Sequence, residues 1–169
     1  MSGWINCSEG NRLICLGIDP AWSKPIAWAI TDGEKMTACG TLEPGRELGF
    51  ACVRTRWDGL LQNVGLILIE QGQPKNLNSC HLMDRTGGII EGYLRFWDIP
   101  TGAKVHYVSP STWMASYKLA GLKRAAAHRA ASNIARYYHP ELKDRDDDLA
   151  SAVLISLFGA RRERWTGNG

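Results

Sequence analysis

The spacing of hydrophobic and polar positions changes several times along the chain, and each change marks a predicted element. Residues 13–19, "LICLGID", are apolar up to a closing aspartate and read as a strand. Two further runs, 26–31 and 36–42, are joined through "TDGE", where Asp32-Gly33 is a favoured pair for a tight hairpin turn. With the first run they predict an antiparallel meander. A helix is expected over 46–61, and "VGLILIE", 64–70, is almost wholly apolar, as befits a strand buried on both faces. The polar break "QGQPKN" leads into a helical pattern over 77–97, "DIPTG" interrupts it, and 104–108 reads as a fifth strand. Helices follow over 111–117, 122–138 and 146–161, with Pro140 separating the last two. The order predicts one α/β domain over 1–169, with a mixed five-stranded sheet made of a meander of three strands and then two parallel strands. Residues 1–11 and the polar 162–169 are expected to be flexible tails. No repeat, low-complexity run or linker divides the chain.

Composition narrows the class. At 169 residues the chain has the length of one ordinary domain and buries a full core. A hydrophobic fraction of 44% with 22% charged residues excludes disordered and collagen-like chains. Cysteines at 7, 15, 39, 52 and 80 form no C-x-x-C pair and are odd in number, which favours reduced thiols in a cytoplasm over a disulfide framework. Residues 1–10 lack the basic start and apolar run of a signal peptide, and no stretch approaches the roughly 20 apolar residues that span a bilayer. A cytoplasmic protein with no membrane partner is the expectation.

Candidate chemistry centres on carboxylates in apolar surroundings. Asp19 closes one strand and Glu70 another, while "DRDDD", 144–148, stands directly before "LASAVLISL". In a helix start Asp144 and Asp147 are spaced i, i+3 and share a face, with Leu149, Val153, Leu154 and Leu157 turned to the sheet. Each acid alone has an ordinary explanation, since aspartate before proline opens turns and acids cap helices. Glu70 fits neither role, because glutamate is a poor strand residue. Gathered at one end of a sheet, such groups repel unless a cation stands among them. Oxygen donors without histidine suit Mg²⁺ or Mn²⁺ better than zinc. Two such ions can activate a water and stabilise a leaving oxygen in phosphodiester cleavage. Cys80-His81 lacks a second ligand pair, and the chain has no P-loop, G-x-G-x-x-G or G-x-S-x-G.

The net charge of +3 is mild, so a nucleic-acid partner must be argued from where the charge lies. Between 104 and 143 stand Lys104, Lys118, Lys123, Arg124, Arg129, Arg136 and Lys143 against Glu141. A basic band leading into an acidic turn suits a nuclease, one part binding phosphates and the other metal. Trp113, Tyr117, Tyr137 and Tyr138 lie among these basics and are candidates for base stacking or for the core.

"LGIDP" at 16–20, "ILIEQ" at 67–71 and "DRDDDLASA" at 144–152 resemble, in order and spacing, the three catalytic blocks of RuvC-type Holliday-junction resolvases. The resemblance implies a ribonuclease-H-like fold and a homodimer that uses Mg²⁺ or Mn²⁺, two ions per site. It also implies paired symmetric nicks in four-way DNA junctions, with 5′-phosphate and 3′-hydroxyl ends. On it Asp19, Glu70, Asp144 and Asp147 map onto the metal-binding, catalytic carboxylates. The family's D-x-x-D-A-L-A fixes the register at Asp147-Asp148-Leu149-Ala150 and leaves Asp146 and Asp148 as extras. Lys118, Lys123 and Arg124 are implied DNA contacts, as are Gln73 and Lys75 after the "EQ" strand end. The implied dimer interface is the helix over 77–97, with a stripe of Leu82, Ile89, Ile90, Tyr93 and Leu94.

The chain departs from the family at Ala21-Trp22, where glycine often follows "DP", at Gln73, where an aromatic is frequent, and at Met114, where lysine is common. A phage or otherwise divergent member, acting in a bacterial or phage-infected cell, is implied. Alternatives are a ribonuclease-H-fold nuclease for other branched DNA or RNA–DNA hybrids, a junction-binding protein that does not cut, and an actin- or Hsp70-like ATPase. The last expects glycine and a hydroxyl residue just after the first aspartate, which "DPAW" does not supply.

Overall fold

Strand β1, Ile14–Asp19, sends alternate side chains to opposite faces of a sheet, and that alternation organises the molecule. The computed structural model describes residues 13–72, 77–96, 103–142 and 146–166, with side chains described as far as 161. β1 pairs antiparallel with β2, Ile26–Asp32, which pairs antiparallel with β3, Lys35–Leu42, through the expected turn, where Gly33 has a φ of 60°. On its other edge β1 pairs parallel with β4, Leu66–Glu70, which pairs parallel with β5, Lys104–Val108. The order is β3-β2-β1-β4-β5, the mixed five-stranded sheet that the sequence predicts, with β1 at its centre.

Helices cover both faces. Helix α1, Phe50–Trp57, and α2, Leu77–Phe96, lie on the face bearing Leu16, Ile18, Ile67 and Ile69. Helix α5, Asp147–Thr166, lies on the face bearing Cys15, Ala27, Ala29, Leu66 and Leu68, and α4, Arg124–Tyr138, packs on its outer side. α5 is buried nearly all round from Ala150 to Ala160, because it is sandwiched between the sheet and α4. Short α3, Pro110–Ser116, follows β5 directly. Ser109 caps it by accepting from the Thr112 amide at 3.3 Å, and Pro110 opens its first turn.

Three helices differ from expectation by two or more residues at an end. α1 is shorter than 46–61, because Pro44, Gly45 and Gly49 make the preceding segment a turn and Gly59, at φ 80°, stands just beyond its end. α4 starts at Arg124 rather than 122, after Gly121 at φ 86°. α5 runs to Thr166, past the expected end at 161, since arginine and glutamate extend a firmly packed helix readily. The expected interface stripe on α2 is largely used inside the molecule: Ile90, Tyr93 and Leu94 are buried in the core beside α1, and Leu82 and Ile89 are half-buried. Among the described residues no helix is long and apolar enough to cross a membrane.

Candidate active site

The register Ile18↔Ile69 between parallel β1 and β4 puts Asp19 beside Glu70 at the carboxyl end of the sheet, where ligands of open α/β sheets bind. Alternation then fixes their side. Cys15 and Gly17 of β1 and Leu66 and Leu68 of β4 face α5, so Asp19 and Glu70 do too.

What brings α5 close is the smallness of its own and its partners' side chains. A Cβ added at Gly17 would stand 2.5 Å from the Ala152 carbonyl oxygen and would also collide with the Ser156 amide. One added at Gly159 would run into Cys15 and stand 2.8 Å from Leu68 Cδ1. The stripe Ala152, Ser156 and Gly159 therefore lies on β1, and one turn before it stands Asp148.

The structure thus gathers Asp19, Glu70 and Asp148. Burial, then the charges of Glu70 and Asp148, push the Asp19 carboxyl well above the usual range; Lys24 and a hydrogen bond with Ser151 pull the other way. Burial also pushes Glu70 up to about 7. The Trp113 hydrogen bond opposes this, Asp148 adds to it, and Lys24 opposes it. Trp113 Nε1 donates to Glu70 Oε2 at 2.7 Å, orienting the carboxylate from α3. Lys24, in the loop after β1, pairs its ammonium with Asp148 Oδ1.

Asp147 lies elsewhere. It is exposed, accepts from Ser132 Oγ at 3.2 Å and stands 3.8 Å from His128 Nδ1, both on α4. The register in which Asp147 faces the strand-end acids and Asp148 is spare is not the one adopted. Adjacent helical residues point about 100° apart, and the small-residue stripe, rather than Leu149, sets the phase. Asp144, Gln73 and Lys75 lie outside the described residues. Among the described residues no three His, Cys, Asp or Glu side chains are arranged to hold a metal ion as they stand. Lys24 supplies a positive charge at Asp148.

The basic band meets this region through Arg124. Lys118, Lys123 and Arg124 are exposed, and Arg124 Nε lies 3.4 Å from Nε2 of His128, the residue beside Asp147. Lys118 has a φ of 58°, the left-handed place after a helix that glycine usually fills. Of the candidate stacking aromatics, Trp113 is buried on Glu70 and Tyr117 donates to the Leu154 carbonyl at 2.9 Å, so both are structural. Tyr137 is 81% exposed. At Ala21-Trp22, Ala21 is buried and the Arg85 guanidinium lies 5.1 Å over the Trp22 ring.

The sequence pattern leaves Lys24 and Ser151 unmarked, offers Trp113 only as a stacking or core residue, and sets Asp148 aside. The run of small residues four and then three apart, continued back to 148, is the signal that locates Asp148 and, three residues on, Ser151. Nothing comparable in the sequence points to Lys24 or to the Trp113 hydrogen bond.

No protein-family model matches the sequence, and no curated protein does. Solved structures do match. That of T. thermophilus RuvC in complex with Holliday junction substrate aligns at a TM-score of 0.66 and 14% identity, covering 90% of this chain and 96% of that chain. A Thermus thermophilus RuvC structure aligns at 0.66 and 14%, covering 91% and 97%. The chain has the ribonuclease-H-like fold of RuvC.

Proposed function

We propose that the chain is a divalent-metal-dependent DNA endonuclease of the Holliday-junction-resolvase type, acting on branched DNA in the cytoplasm. The observation that carries the reading is the meeting of Asp19, Glu70 and Asp148 at the carboxyl end of β1 and β4, on a RuvC-like fold. The donor set fits a hard cation: it is all carboxylate, its members raise one another's affinity for protons, and an ammonium already stands against one of them.

Asp19, Glu70 and Asp148 would hold Mg²⁺ or Mn²⁺, with Asp144 the remaining acid that the resemblance implies. When bound, such ions activate a water and stabilise the leaving oxygen, giving a 5′-phosphate and a 3′-hydroxyl. The chain's own residues do the rest. Trp113 fixes the direction of Glu70, and Asp147 ties the start of α5 to α4 rather than binding metal. Lys118, Lys123 and Arg124 contact phosphates, and Gln73 and Lys75, outside the described residues, are the further DNA contacts that the resemblance implies. A homodimer would match the twofold symmetry of a four-way junction. Its contact on α2 would use the exposed outer positions His81, Arg85, Gly88 and Gly92, since the apolar stripe is largely buried.

The test is nicking of end-labelled four-way junctions, flaps, RNA–DNA hybrids and plain duplex with Mg²⁺, Mn²⁺ or chelator. Paired symmetric nicks in the junction, lost with chelator, are expected; cleavage of hybrid alone would sink the resolvase reading. Asp148→Asn should lower nicking by about 10²-fold or more, the scale of losing a group that stabilises transition-state charge. Asp147→Asn should stay within about threefold of wild type, as a change outside the reacting groups.

A further inference from the structure

Lys24 is distant in sequence from α5, yet its ammonium meets the Asp148 carboxylate. The loop that carries it is anchored. The Ala21 carbonyl accepts from the Gly45 amide at 2.8 Å, the Trp22 carbonyl accepts from the Arg46 amide at 3.1 Å, and the Trp22 ring is held beneath Arg85. From this anchored loop the ammonium pairs with Asp148, the acid that the close approach of α5 brings to the strand ends bearing Asp19 and Glu70.

From this geometry we propose that Lys24 is the resident counter-cation of the carboxylate site, a positioning residue that holds the acids together before a divalent ion arrives and must leave Asp148 for the ion to enter. The inference rests on the metal-dependent reading above. Like charges brought together in partly buried surroundings need a compensating charge, and an ammonium supplies it without fixing a coordination geometry. Lysine suits a group that must withdraw: its charge sits on a flexible stem, and this side chain is 58% exposed, so it turns to solvent with little obstruction. Divalent affinity is then the outcome of a competition, weaker than the same carboxylates would give without the lysine.

The experiment compares the full-length wild type, Lys24→Met and Lys24→Arg, without DNA. Mn²⁺ binding is read from the paramagnetic resonance of free ion, Mg²⁺ binding by calorimetry, and thermal unfolding is followed in chelator. Lys24→Met should bind Mn²⁺ about fivefold or more tightly than wild type, as expected for removing a nearby like charge. It should also unfold at a lower temperature in chelator. Lys24→Arg keeps the charge and should remain within about twofold of wild type on the same physical ground. Equal Mn²⁺ affinity in all three proteins, or weaker binding by Lys24→Met, overturns the counter-cation role and leaves the metal-dependent reading standing. Absence of Mn²⁺ and Mg²⁺ binding in every protein overturns the metal-dependent reading, and the role of Lys24 falls with it.

Discussion

The two faces of the sheet are built on different principles. On the face toward α1 and α2 the strands carry Leu16, Ile18, Ile26, Trp28, Ile30, Ile67 and Ile69, and large side chains fill the space between layers. Trp28 and Trp57 meet edge to face there, with ring centroids 6.2 Å apart. On the face toward α5 the central strands carry Cys15, Gly17, Ala27 and Ala29, and the helix backbone comes down almost onto the sheet. A core of large side chains tolerates small adjustments, because neighbouring rotamers share the change. A backbone-to-backbone contact cannot adjust that way. The difference explains why the acids gather on the α5 side: only a helix this close delivers a first-turn carboxylate to the tips of β1 and β4.

The largest effect expected from this contrast is at Gly17. Gly17→Ala should lower stability by about 3 kcal/mol or more in urea denaturation, since its Cβ would strike backbone atoms of α5 rather than a movable side chain. A loss under about 1 kcal/mol would show that the close approach is not a constraint.

Trp113→Phe removes the donor to Glu70 while keeping most of the ring's bulk. Glu70 is raised from an ordinary 4.5 to about 7, so in metal-free protein its contribution to stability is fully present below 4.5 and is lost as pH rises through 7. Removing a hydrogen bond that favours the charged form raises that value further. Trp113→Phe should therefore cost about 2 kcal/mol at pH 8 and much less at pH 5, by denaturation in chelator at both. A cost equal at the two pH values would mean that the bond does not act on the charged carboxylate.

Ile18→Val, on the opposite face, should cost only about 1 kcal/mol in the same denaturation assay and leave nicking unchanged, as one methylene lost from a core of large side chains. Smallest is Gly88→Ala on the outer side of α2, where nothing lies within 4 Å of an added Cβ. At a concentration too low for the proposed dimer to form, it should raise stability by about 0.5–1 kcal/mol through helix propensity. A loss instead would place a neighbour over that face of α2.

Much of the fold was legible in the sequence, because a strand's period of two and the Asp32-Gly33 turn are local properties of the chain. The same alternation put Asp19 and Glu70 at the ends of buried strands, and parallel pairing made those ends neighbours. The last acidic turn was legible as a place but not as a choice of residue. Asp147 and Asp148 are equivalent to any pattern that phases α5 by Leu149, Val153, Leu154 and Leu157, since the helix is buried almost all round. The tertiary structure decided between them through Gly17 and Gly159, because only one rotation of α5 lays Ala152, Ser156 and Gly159 on β1. It also decided that Lys24 meets Asp148 and Trp113 meets Glu70, contacts spanning 124 and 43 residues respectively. By itself the sequence determined the elements, the meander and the two strand-end acids, all set by neighbours within a few positions. Contacts across the fold decided which helix acid joins them and which cation and donor attend, because charge and hydrogen bonding act through space and leave no period along the chain.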